Sequence, residues 1–338
     1  MPEAWLEQVG LEWLRAIEEE DGFAEAVIGG AAVRGPRSGV TQSRLGYCWS
    51  HLAVDFPEQK EFARAAEKSF RLPPLDIGRR VYDHSFFLLF MAWYFRLSGD
   101  RGAIDRLRER YEAIAVFLDD AGVGGFGEQT PGIRSHNPYM HLLEALLAAF
   151  QHTGDEYWLG EATKMVKLFL ARLIDKPTGL VFEFRNADWS VTAERRIEVG
   201  HQFEWAWLLS EVGEHSAAAH LHDFALRHGI EDGLAINSVT EEGVATDRSK
   251  LLWVQTEAIR SGAVSWSAVR ERFFHANGWS WYNRLDANGA PVEEPSNARL
   301  LYHVITAGGA GSSGRPAFAS GTFTRMNPRP ASTINPGI

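Results

Sequence analysis

Three helix ends in this chain are spelled alike: Leu97-Ser98-Gly99-Asp100, His152-Thr153-Gly154-Asp155 and Glu211-Val212-Gly213-Glu214. Each glycine suits the left-handed residue that stops a helix, and the acid after it suits the start of the next. The glycines stand 55 and 59 residues apart. A period of that size, with two helices in each repeat, marks a repeat architecture, and it fits about six times into 338 residues. Six helical hairpins closed into a ring bury their most apolar helices inside and leave the amphipathic ones outside. The expected fold is all-α, an (α/α)6 barrel in one domain over residues 1–307, with short β-hairpins on one rim.

Between the repeated ends the apolar pattern alternates as such a ring requires. Tyr82 to Leu97 is a nearly continuous apolar run, whereas Asp105 to Leu118 is amphipathic. Trp5, Leu6, Val9, Trp13 and Ile17 fall near one face of a first helix. Further helices are predicted over Gln42–Val54, Pro57–Phe70, Pro138–Thr153, Glu156–Ile174, His201–Val212, Ser216–Leu226, Leu251–Ser261, Ser265–Ala276 and Arg299–Ala307. Leu180 to Phe184 alternates like a short strand, and Trp281 to Gly289 reads as a hairpin turning on Asn288-Gly289. Asp119 to Gly132 is a loop. Residues 308–338 are rich in Gly, Ser and Pro without a period, and read as a poorly ordered or surface-draped tail, the alternative being a tail wrapped on the barrel with Phe318 and Phe323 as anchors.

Twelve Trp and twenty Phe are many; aromatics at that level fill cores, but their flat rings also line carbohydrate clefts. A formal charge of −10 with no basic stripe argues against nucleic acid. The one cysteine, Cys48, sits in an apolar run; it allows no intrachain disulfide and no cysteine metal site, and reads as a buried thiol. The first residues, MPEAWLEQVG, lack the pattern of a signal peptide, and no apolar run approaches about twenty residues, so no membrane partner is expected and a reducing cytoplasm is the expected location.

The chemistry gathers in two segments, Asn137-Pro-Tyr-Met-His141-Leu-Leu-Glu144 and Gly200-His201-Gln-Phe-Glu204-Trp205. Each sets a histidine and a glutamate three residues apart near a helix start, hence on one face. An imidazole is a base near neutral pH, and a carboxylate beside it orients it and raises its pKa. His-x-x-Glu can also ligate metal, but neither segment is the His-Glu-x-x-His arrangement, and no metal or cofactor is expected. His136, just ahead of Asn137, is left undecided by the sequence.

These two segments, with Trp253-Val-Gln-Thr-Glu257 and Leu301-Tyr302-His303-Val304, resemble in that order the N-acylglucosamine 2-epimerase superfamily. Gln42-Ser-Arg44-Leu-Gly-Tyr47 and Val81-Tyr82-Asp-His-Ser-Phe86 extend the resemblance, which spans roughly Trp5 to Val304. It implies the same (α/α)6 barrel. It also implies that His201 and His303 are the catalytic acid/base pair with Glu204 supporting His201, and that Arg44, Tyr82, Asn137, His141, Trp253 and Glu257 line a sugar site. The implied activity is a cofactor-independent isomerisation of an aldose such as mannose or lyxose to its ketose through a cis-enediol. The implied partner is a small sugar, and a homodimer is left open as the assembly. A 2-epimerase of N-acylglucosamine or cellobiose type, a glycoside hydrolase on the same barrel and a non-catalytic sugar-binding protein are the alternatives. Two departures stand out. The segment Arg71–Arg80 is shorter than the family's covering loop, and the family's arginine ahead of His201 has only Arg195 or Arg196 to match it.

Overall fold

The glycines stop helices where the repeat places them: Gly99, Gly154 and Gly213 have φ of 69°, 70° and 85°. In the left-handed region a side chain is strained, and glycine is not. Asp155 then caps the following helix by accepting from the Tyr157 amide. The computed structural model describes residues 3–73, 80–118 and 132–312. Most of the short segment 71–80, the loop 119–131 and the tail from 313 onward, with Phe318 and Phe323, lie outside the described residues.

Twelve α-helices are described. They run α1 Glu3–Ile17, α2 Gly39–Asp55, α3 Lys60–Arg71, α4 Val81–Ser98, α5 Arg101–Leu118, α6 Asn137–Thr153, α7 Glu156–Leu168, α8 Val199–Glu211, α9 His215–Gly229, α10 Leu252–Arg260, α11 Trp266–Phe273 and α12 Leu301–Ser312. The even-numbered helices form the inner ring, each packed on the next, and α12 closes onto α2. The odd-numbered helices pack outside, each against the inner helix before it. Burial follows from composition. Apolar α4 is buried on nearly every side, whereas charged α3 buries only Phe62, Ala65 and Ala66. The sixth hairpin is made from the two ends of the chain. α1 lies against α12, and Trp13 stacks on Trp281 with ring centroids 4.4 Å apart.

All described strand pairs are antiparallel and short, and they stitch the rim in sequence. The strand Ile133–Ser135 ahead of α6 pairs with Phe184–Asn186 ahead of α8. Ile197–Glu198 pairs with Ser238–Val239 ahead of α10, Lys250–Leu251 with Arg284–Leu285 ahead of α12, and Ser296–Asn297 with Ala26–Ile28 ahead of α2. Five inner helices, α2, α6, α8, α10 and α12, therefore present their N-termini at this rim.

A glutamine fixes three inner helices to the rim. Gln42 Nε2 donates to the Phe23 carbonyl at 2.8 Å, and its Oε1 accepts from the same residue's amide at 3.0 Å. Gln202 holds both backbone groups of Val181 in this way, and Gln255 those of Ala235. Buried backbone groups must be paired, so these amides lock each helix in height and rotation. Two positions beyond each glutamine stand Arg44, Glu204 and Glu257, all buried. The clamp thus carries polar groups into the lumen.

Three sequence expectations shift. Leu180, Val181 and Phe182 are buried but outside any strand, which begins only at Phe184, because Gln202 takes the Val181 backbone and Asp175 the Leu180 carbonyl. Leu285 finds its named strand partner across the rim in Lys250, while the turn at Gly289 closes through the Asp286 amide on the Ala290 carbonyl at 2.8 Å and an isolated bridge from Leu285 to Pro291. α12 runs to Ser312, so residue 307 falls inside it. No helix among the described residues is long and apolar enough to cross a membrane.

Candidate active site

Two imidazoles stand at the rim end of the lumen, each beside the same indole. The Trp253 ring centroid is 4.8 Å from that of His201 and 6.0 Å from that of His303. Each histidine is only 6% exposed, so each is shielded but not sealed. The indole reaches this place because residue 200 is glycine. A Cβ there would lie 2.5 Å from the Trp253 ring.

His201 is held by carboxylates from the rim. Its Nδ1 lies 2.8 Å from Glu183 Oε2 and 3.3 Å from Glu198 Oε2. Glu204 makes no hydrogen bond to it; both Glu204 oxygens are buried without a partner. The expected support from Glu204 is therefore not direct. Helical side chains lean back toward the N-terminus, so the His201 ring meets residues ahead of its helix rather than one turn beyond. Burial would lower the His201 pKa, but the charge and hydrogen bond of Glu183, with Glu198 behind, lift it to about 9. His201 is an imidazolium at neutral pH. Burial and the neighbouring Glu183 push Glu198 up to about 7.

His303 is in the opposite state. Its Nδ1 lies 3.0 Å from Glu257 Oε1, and the other oxygen of Glu257 accepts from Arg260 Nη1 at 2.6 Å. Burial lowers the His303 pKa and outweighs Glu257, whose charge is already shared with Arg260. With Nδ1–H given to the carboxylate, a neutral His303 carries a free lone pair on Nε2. Glu257 is 1% exposed and bonds both His303 and Arg260.

Arg44 lies flat over Phe86, 3.9 Å from the ring centroid, and its Nη2 donates to the Tyr82 hydroxyl at 2.5 Å. His141 packs edge-on to Tyr82, 5.2 Å away, and its Nδ1 is 3.4 Å from Glu144 Oε2. Burial drops the His141 pKa to about 4. Tyr302 donates to Glu144, and Arg260 lies 3.9 Å from it. Asn137, the first residue of α6, keeps a buried Oδ1 without a protein partner. Of the two arginines ahead of His201, Arg195 pairs outward with Glu241, whereas Arg196 Nη2 is 2.6 Å from Glu198 Oε1 and so belongs to the site.

Two groups concentrate metal-type donors within 4.8 Å: His136, Glu183 and His201, and His141, Glu144 and Glu204. In the first, the Trp205 indole N–H donates to His136 Nδ1 at 3.0 Å. An indole nitrogen only donates, so a neutral His136 carries its proton on Nε2 and has no lone pair facing Glu183. In the second, Arg260 already supplies a positive charge. Glu183, His136 and Arg260 were not read from the sequence. The one signal for Glu183 is a carboxylate inside the apolar run Leu180–Phe184.

Glu204 is a neutral acid. Burial, then Glu257 and Glu144, push its pKa well above the carboxylate range. Between an unfolded value near about 4.3 and that raised value the folded state holds the extra proton. This contribution to stability is complete below the unfolded value and is lost as pH rises through the folded one. Glu204→Gln removes that loss. The variant's Tm is expected to gain on the wild type from pH 5 to pH 8, about 2 °C for each tenfold of proton affinity. A difference moving the other way in thermal scans would mean an ionised Glu204.

Six helical hairpins closed into a ring, with His201 and His303 both beside Trp253 in a buried polar lumen, make an (α/α)6 barrel. Residues 71–307 match the N-acylglucosamine 2-epimerase (GlcNAc 2-epimerase) family, and the chain belongs to it. It is 30% identical to a mannose-6-phosphate isomerase of Rhizobium meliloti (strain 1021), over 69% of this chain and 70% of that protein. It is 26% identical to a D-mannose isomerase of Thermobifida fusca, over 64% of each. A crystal structure of D-mannose isomerase superposes with a TM-score of 0.80 at 19% identity, covering 92% of this chain and 97% of the other.

Proposed function

We propose that the protein is a cofactor-independent aldose–ketose isomerase acting on an unmodified sugar such as mannose or lyxose. The observation that carries this reading is that His201 and His303 both lie against Trp253, one held by Glu183 and the other by the Arg260-bound Glu257, surroundings that push their pKa values apart. Neighbouring titratable groups pushed apart in pKa are the arrangement acid/base chemistry needs at neutral pH. The imidazolium of His201 opens the sugar ring by protonating the ring oxygen, and the neutral imidazole left behind takes up the O1 proton as the C1 carbonyl forms. In the open aldose, His303 Nε2 takes the proton from C2. The C2–H electron pair becomes the C1=C2 bond, and the carbonyl pair moves to O1, which takes its proton from His201. Arg44 stabilises the charge developing on oxygen during this step. The resulting cis-enediol returns its O2 proton to His201 as the C2 carbonyl forms, and the C1=C2 pair takes a proton at C1 from His303, giving the ketose. Asn137 and His141 offer polar groups for the hydroxyls, and Trp253 offers a face for the C–H side.

Turnover in deuterated water tests the reading, with mannose, lyxose, N-acetylmannosamine, cellobiose and mannose 6-phosphate as substrates and NMR of the products. The expected result is a ketose carrying deuterium at C1. kcat/KM should be flat around neutrality, falling below the ordinary imidazole value as His303 protonates and again near pH 9 as His201 loses its proton. A ketose formed without any solvent deuterium, or no conversion of any of these sugars, would count against it. A second reading, 2-epimerisation, is favoured by the charged His201, which could return the proton to C2 from the opposite face. An epimer as the main product would select it.

A further inference from the structure

The proposed reaction asks His201 to present Nε2 to the sugar and to stay charged, and the side chains behind it answer to both needs. We propose that Glu183, oriented by a neutral His136 that is itself fixed by the Trp205 indole, is the positioning residue that holds His201 in its acid form. This inference rests on the isomerase reading for its purpose but not for its test.

The protons can be followed one by one. Trp205 has only an N–H to give, and it gives it to His136 Nδ1 at 3.0 Å. His136 Nδ1 must therefore be the bare nitrogen, and Nε2–H points at Glu183 Oε2, 3.2 Å away. The same oxygen takes His201 Nδ1–H at 2.8 Å. Glu183 Oε1 accepts the backbone amide of Glu198 at 3.1 Å. The carboxylate has three donors converging on it and is 3% exposed, so nothing else competes for it. A second proton on His136 would set an N–H against the indole N–H. Of two imidazoles sharing one carboxylate, with centroids 4.7 Å apart, only His201 can be the cation.

The supporting parts are rigid. Trp205 is 1% exposed and stacks on Phe169 at 4.0 Å, in the single π-turn that ends α7. Glu183 hangs from the segment that Gln202 clamps, and His136 is the residue before α6. The other groups facing His201 are Glu198 from the preceding strand, paired with Arg196, Glu204 on its own helix, and the Trp253 ring from α10. Only Glu183 combines full burial with a direct bond to Nδ1. Glu198 is part-exposed and has Arg196 to satisfy.

Imidazole 1H–15N spectra of the substrate-free protein test the proposal without reference to any sugar. In Glu183→Gln the His201 pKa should fall by about two pH units, and the alkaline limb of kcat/KM should fall with it. Glu183→Asp should restore part of that loss. Trp205→Phe keeps the ring packing and frees His136 Nδ1. Its 15N shifts should then report a changed tautomer or a new protonation near neutrality, with His201 weakened as an acid. A folded Glu183→Gln with an unmoved His201 pKa would overturn the proposal. So would unchanged His136 and His201 spectra in Trp205→Phe, should the Gln variant not fold. Failure of the isomerase reading would appear instead as no turnover by a wild type whose His201 still titrates near 9.

Discussion

Replacing His303 by glutamine is expected to lower kcat by about 10³ to 10⁴ while leaving the fold and sugar affinity nearly intact. A positioned base contributes on the order of 10² to 10⁴ to a proton abstraction, and here the proton comes from carbon, where water is a poor substitute. Glutamine is the informative choice because of what lies behind the ring. His303 gives Nδ1–H to Glu257, which is 1% exposed and also bound by Arg260. Alanine would leave one oxygen of that carboxylate short of a donor. The amide NH₂ of glutamine can still fill it, so a loss of rate is not confused with a loss of stability. Exchange of the C2 proton with solvent should vanish together with turnover. Activity within tenfold of wild type would mean that another group removes the proton, and a loss confined to KM would make His303 a binding group.

The ring was legible because glycine is irreplaceable where φ is positive. Gly99, Gly154 and Gly213 printed the repeat into the sequence as spaced stops. Inner and outer helices were legible for a similar reason, since a helix buried all round, such as α4, cannot afford a charged face. The two His-x-x-Glu segments show the limit of local spacing. His141 and Glu144 do bond, at 3.4 Å, whereas His201 passes over Glu204 for Glu183, eighteen residues earlier in the chain. Helical geometry allows both pairings, and only the closing of the ring decides between them. The same applies to Glu257, which sits on the motif yet turns to hold His303. The glutamine clamps were hidden too, because a buried glutamine reads as a polar residue until its backbone partner two dozen positions or fewer upstream is known.

Arg44→Lys is expected to cost about 10² to 10³ in kcat, the scale seen when one preorganised stabiliser of a developing oxyanion is lost. A point charge is retained, but the fork is not. The guanidinium lies over Phe86 and reaches both the Tyr82 hydroxyl and the Arg299 carbonyl, so its plane is fixed before substrate arrives. A lysine cannot span those contacts and also face the sugar oxygen. Its ammonium would settle on one of them, and the field at the reacting oxygen would have to be organised during the step. The loss should fall on kcat more than KM, because the charge it answers exists only on the way to the enediol. Combining Arg44→Lys with His303→Gln gives the sharper result. In the proposed mechanism both side chains act in the same abstraction, so once the base is gone the cation has no enediolate to stabilise. The double variant should be little slower than His303→Gln alone. Losses that multiply would separate the two residues into different steps, and would move Arg44 from the chemistry to the binding of the sugar.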